Sequence, residues 1–119
     1  MDRNSPGLDV HDMESIHPAD PRLRRVHRLS AATVAEKTAT YPHWEPVLIQ
    51  ARRIGGRTCL VVWDGNHRMQ AALEMPQPPM VDFIWADDAR VREHLQGSPL
   101  SDPQVLLRRS RRFAPGEHT

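Results

Sequence analysis

Asp64, Asn66, His67 and Arg68 fall within five consecutive positions around Gly65. A carboxylate, an amide, an imidazole and a guanidinium this close together suit anion binding and proton transfer. They follow Leu60-Val61-Val62-Trp63, which reads as a buried strand, and precede Met69-Gln70-Ala71-Ala72, which reads as helix. A turn that opens a helix presents free backbone N–H groups and the positive end of the helix dipole. An arginine in that first turn makes the site suited to a phosphate. The plainer reading is that Asp-Gly is a common turn pair and Asn66 a helix cap. It does not account for His67 and Arg68.

The elements that must position this turn are punctuated by proline and glycine. Residues 1–7 are polar and are expected to fray. Leu8 to Met13 alternates apolar and polar, as a half-buried first strand does. Ile16 to Pro21 is a loop with two prolines, and Asp20 is held extended before Pro21. Arg22 to Arg28 fits either a short helix or an ordered arm. Ser30 caps a helix over 31–40, with Leu29 and Val34 placed as a hydrophobic staple. Tyr41 to Pro46 is a second loop, and Val47 to Ala51 a strand. Gly55-Gly56 makes a hairpin to a central strand over Arg57 to Trp63. The helix after the turn runs to Met75, where Pro76 ends it. Met80 to Trp85 is a further strand. Asp87 or Asp88 caps a helix closed by Gly97, and Asp102-Pro103 starts a last short helix. The fold class is α+β: one domain with a small mixed sheet flanked by helices.

Composition narrows the function. The chain has 119 residues, 39% hydrophobic and 26% charged, enough for one core. No apolar run is long enough for a membrane span, and the N-terminal residues do not read as a secretory signal. The single cysteine, Cys59, has no internal disulfide partner, so a cytoplasmic setting is expected. It lies mid-strand and reads as a small buried hydrophobe. The net charge is +1, without the global basic field of most nucleic-acid binders. Arginines nonetheless cluster at 22, 24, 25 and 28 and again at 108, 109, 111 and 112. The histidines outside the turn show no metal spacing, and no structural zinc is expected.

The segment Asp64-Gly65-Asn66-His67-Arg68-Met69-Gln70-Ala71 resembles the signature of the ParB/sulfiredoxin-like superfamily. Variants there include Gly-Glu-Arg-Arg-x-x-Ala in chromosome-partition proteins, Gly-Cys-His-Arg in sulfiredoxins and Asp-Gly-His-His-Arg in free serine kinases. His43-Trp44-Glu45-Pro46 followed by Val47-Leu48-Ile49 is similar to the Trp-x-Pro and strand of the kinases. His17-Pro18-Ala19-Asp20 is similar to their Pro-x-Glu loop. The likeness covers about residues 8–86, within an expected nucleotide-binding domain of 8–97; residues 98–119 are left as a short helix and basic tail.

The resemblance implies that Gly65, Asn66, His67 and Arg68 bind nucleotide phosphate. It implies catalytic roles for Asp20, Asp64 and His67, with Asp20 in the place of the kinase glutamate. Asp64 would also hold Mg²⁺, and Trp44 and Arg22 would line the substrate pocket. The implied cofactors are ATP or ADP, with CTP as the alternative, and Mg²⁺. Asn66 stands where sulfiredoxins have their cysteine nucleophile, which excludes that chemistry. The expected activity is phosphoryl transfer to a small hydroxyl-bearing metabolite. The alternative is a nucleotide-binding regulatory or DNA-associated module without catalysis, DNA contact then resting on the two arginine clusters.

Overall fold

The computed structural model describes residues 13–96 and 102–118. Five strands and four helices run along the chain: β1 (Met13–Ile16), β2 (Leu23–Arg25), α1 (Ala31–Thr40), β3 (Val47–Ile54), β4 (Arg57–Asp64), α2 (Asn66–Glu74), β5 (Val81–Trp85), α3 (Asp88–Leu95) and α4 (Pro103–Arg108). The strands form one mixed sheet in the order β1-β5-β3-β4-β2. β1 is antiparallel to β5 and β3 is antiparallel to β4, whereas the β3–β5 and β2–β4 pairs are parallel. The fold class is thus α+β with a mixed sheet. Among the described residues no helix is long and apolar enough to cross a membrane.

β4 shows why the sheet sits in the middle. Cys59 to Trp63 are all buried, although side chains alternate between faces along a strand. Leu60 and Val62 join the cluster that contains Met69 and Ala72 of α2. Val61 and Trp63 join the cluster of Val91 and Leu95 from α3 and Leu106 and Leu107 from α4. A strand covered on both faces reads as a continuous apolar run.

The local signals act as their chemistry dictates. Ser30 Oγ accepts from the Thr33 N–H at 3.3 Å and starts α1. Gly55 and Gly56 both carry positive φ, +58° and +79°, in the hairpin between β3 and β4. Asp87 caps α3, and Asp102 caps α4 with Pro103 in its first turn. Two segments differ from expectation. The expected strand over residues 8–13 falls mostly outside the described residues, as does Gly97, and β1 extends instead to Ile16. The Arg22–Arg28 segment, expected as a short helix or an ordered arm, is not helical and contains β2, with Leu23 paired to Leu60. Leu23 is nearly fully buried, and that one apolar side chain among arginines anchors the strand.

The basic tail after α4 is docked on the domain. Arg111 and Arg25 exchange backbone hydrogen bonds, N–H to carbonyl, at 2.7 and 3.0 Å. Phe113 packs on the core cluster beside α2. The Gln70 amide donates to the Ala114 carbonyl at 2.7 Å. Glu74 at the end of α2 accepts from the Gly116 N–H at 2.6 Å and pairs with His118 Nε2 at 2.9 Å. Burial opposes ionisation of Glu74, but the bonds from Gln70, Gly116 and His118 outweigh it and hold the carboxyl below its ordinary range. A lowered carboxyl stabilises the fold fully above the ordinary glutamate range and ceases to do so as pH falls through the lower value. Glu74→Gln is therefore expected to cost about 1–2 kcal/mol in denaturant unfolding at neutral pH. The loss should shrink on acidification, and the tail should become the first site of proteolytic cleavage.

Candidate functional site

The site lies at the end of the sheet where β4 stops. β2 is parallel to β4, so its carboxyl end arrives at the same edge, and the chain leaving it carries His27 there. β3 is antiparallel to β4, so its start is also at this edge, preceded by Trp44 and Glu45. α1 packs against α2 and presents Thr33, Lys37 and Thr40, spaced along one helical face. These elements enclose a cleft of about 630 Å³, whose lining includes Asp64, Gly65, Asn66, His67 and Arg68.

The turn is shaped by sterics. β4 carries one extra residue, Trp63, opposite the Leu48–Ile49 step of β3, and this bulge lies directly before Asp64. Gly65 follows with φ +102°, in the left-handed half of backbone space. A β-carbon there would lie 2.3 Å from Val47 Cγ1 and 3.1 Å from an Arg68 Nη2. Glycine is thus required both by the backbone angle and by the close approach of β3. No side chain caps α2, so the first-turn N–H groups remain open toward the cleft.

Asn66 is the residue whose role differs most from the phosphate-binding expectation. Its side chain is buried: Nδ2 donates to the Val62 carbonyl at 2.9 Å, and Oδ1 accepts from the Val26 N–H at 3.1 Å. The amide ties the end of β2 to the turn, leaving only its backbone N–H for a ligand. His67 Nε2 accepts from the Ser30 N–H at 3.1 Å, which puts the ring proton on Nδ1. Burial first, then the charges of His27 and Lys37, lower its pKa from the ordinary 6.5. His27 is lowered likewise by burial and by His94, with Asp64 opposing. Both imidazoles are therefore neutral at neutral pH.

Arg68 is mostly buried and is held at both sides. One guanidinium nitrogen donates to the Glu45 carbonyl, and the other lies 3.4 Å from the Asp64 carboxylate. Asp64 remains 43% exposed. Trp44 is half-buried, and its Nε1 donates to the Lys37 carbonyl at 2.9 Å, so the ring forms a fixed wall. Asp20 and Arg22 are not part of the cleft lining. They bond each other, Arg22 Nη2 to Asp20 Oδ2 at 2.8 Å, and the Arg22 N–H closes an Asx turn on Asp20 at 2.9 Å. The Arg22 guanidinium holds the Asp20 carboxyl below the usual carboxylate range. The parallel register places this pair before β2, toward the Arg57 end of β4, with Asp64 at the other end.

Among the described residues no group of three or more His, Cys, Asp or Glu side chains is arranged to hold a metal ion. Mg²⁺ commonly needs only one or two carboxylates besides nucleotide phosphates. Asp64, half-exposed beside the open helix end, fits that demand.

His27, Lys37 and His94 join the cleft without having been expected there. The Thr33-Lys37-Thr40 spacing was a readable polar helix face; His27 and His94 depend on strand pairing and helix packing. Comparison of the chain with protein-family models, curated proteins and solved structures finds no match.

Two substitutions test this geometry. Gly65→Ala is expected to destabilise the chain by about 2–5 kcal/mol, from backbone strain and overlap with Val47 together. Asn66→Asp replaces a donor facing the Val62 carbonyl with a carboxylate oxygen and should cost about 2–4 kcal/mol. Chemical denaturation measures both, and a neutral result for either would contradict the assigned contacts.

Proposed function

We propose that the chain binds a nucleotide through its phosphates in the cleft at the head of α2. The observation that carries this reading is convergence on one cleft of the uncapped N-terminus of α2, Arg68, Lys37 and the imidazoles His27 and His67. Open N–H groups and cations in a half-buried setting suit a multiply charged phosphate. The resemblance to the free serine kinases extends the reading to phosphoryl transfer onto a small hydroxyl-bearing metabolite.

In that reaction the acceptor oxygen bonds the terminal phosphorus, and the bond from that phosphorus to the bridging oxygen breaks. Such chemistry relies on positioning and on charge stabilisation. Arg68, Lys37 and the α2 N–H groups stabilise the phosphate. Asp64 would hold Mg²⁺, which would supply charge neutralisation at the phosphates. The neutral imidazole of His27 takes the acceptor proton, a role that the position of Asp20 at the far end of β4 does not suit. That same placement of Asp20 favours a second reading, a module that binds nucleotide without turning it over.

A thermal-shift series with ATP, ADP and CTP, each with and without Mg²⁺, is expected to show stabilisation by about 2.7 kcal/mol at a hundredfold excess over the dissociation constant. Lys37→Gln should weaken binding about tenfold while leaving the unliganded melting temperature nearly unchanged, as loss of one charged contact implies. No shift with any nucleotide would overturn the proposal. Binding without turnover, in the presence of amino-acid hydroxyl acceptors, would select the second reading.

The pH dependence has a definite sign. His27 and His67 have lowered pKa values without ligand, so their contribution to stability is complete above pH 6.5 and falls away on acidification. A bound anion favours the imidazolium form. Nucleotide affinity should therefore rise as pH drops from neutrality toward 6.5, with net proton uptake on binding. Titration calorimetry in buffers of different ionisation enthalpy measures that uptake.

A further inference from the structure

On the far side of His27 the two arginine clusters meet. A groove of about 820 Å³ is lined by Arg25 and Arg28 from the chain at β2 and by Arg108, Arg109 and Arg111 after α4. The Arg25–Arg111 backbone bridge is what brings them together. Among the described residues Glu117 is the only acid in the lining, and its carboxylate already pairs with Arg25 Nη2 at 3.1 Å. Arg28, Arg108, Arg109 and Arg111 are exposed and have no ion-pair partner among the described residues. Arg25 Nε is buried without a hydrogen-bond partner, so one guanidinium donor remains unused in the groove wall. A chain of net charge +1 thus places five of its sixteen Lys and Arg residues in one groove.

We propose that this groove holds the phosphate backbone of a nucleic-acid duplex, independently of the nucleotide cleft. Among the described residues every fixed cation in it is an arginine, whose planar fork matches phosphate oxygens bidentately. Among the described residues no phenylalanine, tyrosine or tryptophan lines it, so it lacks the broad stacking platform on which single strands are held. An acidic peptide is the rival occupant of an arginine cluster, and it would gain most from a free strand edge or apolar pockets beside the cations. The Arg25–Arg111 bridge occupies the local backbone groups, and Val26, Leu29 and Leu106 in the lining are buried. What remains is a row of forks suited to one phosphate ridge, read without regard to base sequence.

The test is fluorescence anisotropy of labelled DNA and RNA duplexes of mixed sequence across a salt series, with single strands and polyglutamate as competitors. Four phosphate contacts predict a log–log salt slope between about −3 and −4, so affinity should fall about a hundredfold from roughly 50 to 200 mM salt. Arg28→Gln, Arg108→Gln, Arg109→Gln and Arg111→Gln should each shallow the slope by about one, and the combined variant should lose most of the binding. Circular dichroism and melting temperature establish that the combined variant folds; if it does not, the single variants carry the slope test. The DNA and RNA arms identify which duplex is held. Absence of binding to either duplex at low salt would overturn the proposal. So would an unchanged slope in the variants, tighter binding of single strands, or displacement by polyglutamate at matched charge concentration.

Discussion

The buried amide of Asn66 is the joint on which the rest of the molecule depends. It connects residues 40 positions apart in the chain, the Val26 N–H and the turn that opens α2. Its donor side closes on Val62, the last regular residue of β4 before the bulge. Both ends of the amide are used, and the group is almost wholly removed from water. A half-satisfied amide in that position would carry the desolvation cost of its lost partner, so the arrangement is strongly preferred over alternatives. Through this joint the short strand β2 is held parallel to β4, and that pairing delivers His27 to one side and the arginine groove to the other.

The electrostatics of the cleft follow from the same geometry. Arg68 is fixed from two directions, so little side-chain freedom is left to lose when an anion arrives. His67 supports α1 through Ser30 while keeping its Nδ1–H available. Lys37 lies beside it with its own backbone carbonyl bound to Trp44. The cations of the cleft, Lys37 and Arg68, are thus mounted on the two packed helices α1 and α2, whereas Asp20 and Arg22 neutralise each other elsewhere.

Much of this was legible in the chain itself. Helix caps at Ser30, Asp87 and Asp102, the diglycine hairpin and the turn at Asp64–Arg68 are local features, and their chemistry is complete within a few residues. What was hidden is non-local. β2 has three residues, too few for any periodic pattern, and it exists because Leu23 finds space beside Leu60. The docking of the tail depends on Glu74, a residue unremarkable until Gly116 and His118 arrive against it. Asn66 looked like a ligand group because polar residues at a helix start usually face solvent; here the parallel strand turned it inward. The position of Asp20 was likewise set by strand direction, which local sequence does not encode.

The approach of Val47 to Gly65 has a consequence for how the chain can vary over time. Position 65 is constrained twice, by a φ of +102° and by a side chain where a β-carbon would stand. The two constraints have different remedies. Shortening Val47 makes room but leaves the backbone angle unfavourable to any L side chain. A residue tolerant of positive φ, such as asparagine, still meets the valine. No single compensating change elsewhere restores what a substitution at 65 removes, so the two positions form an epistatic pair that drift cannot cross one step at a time.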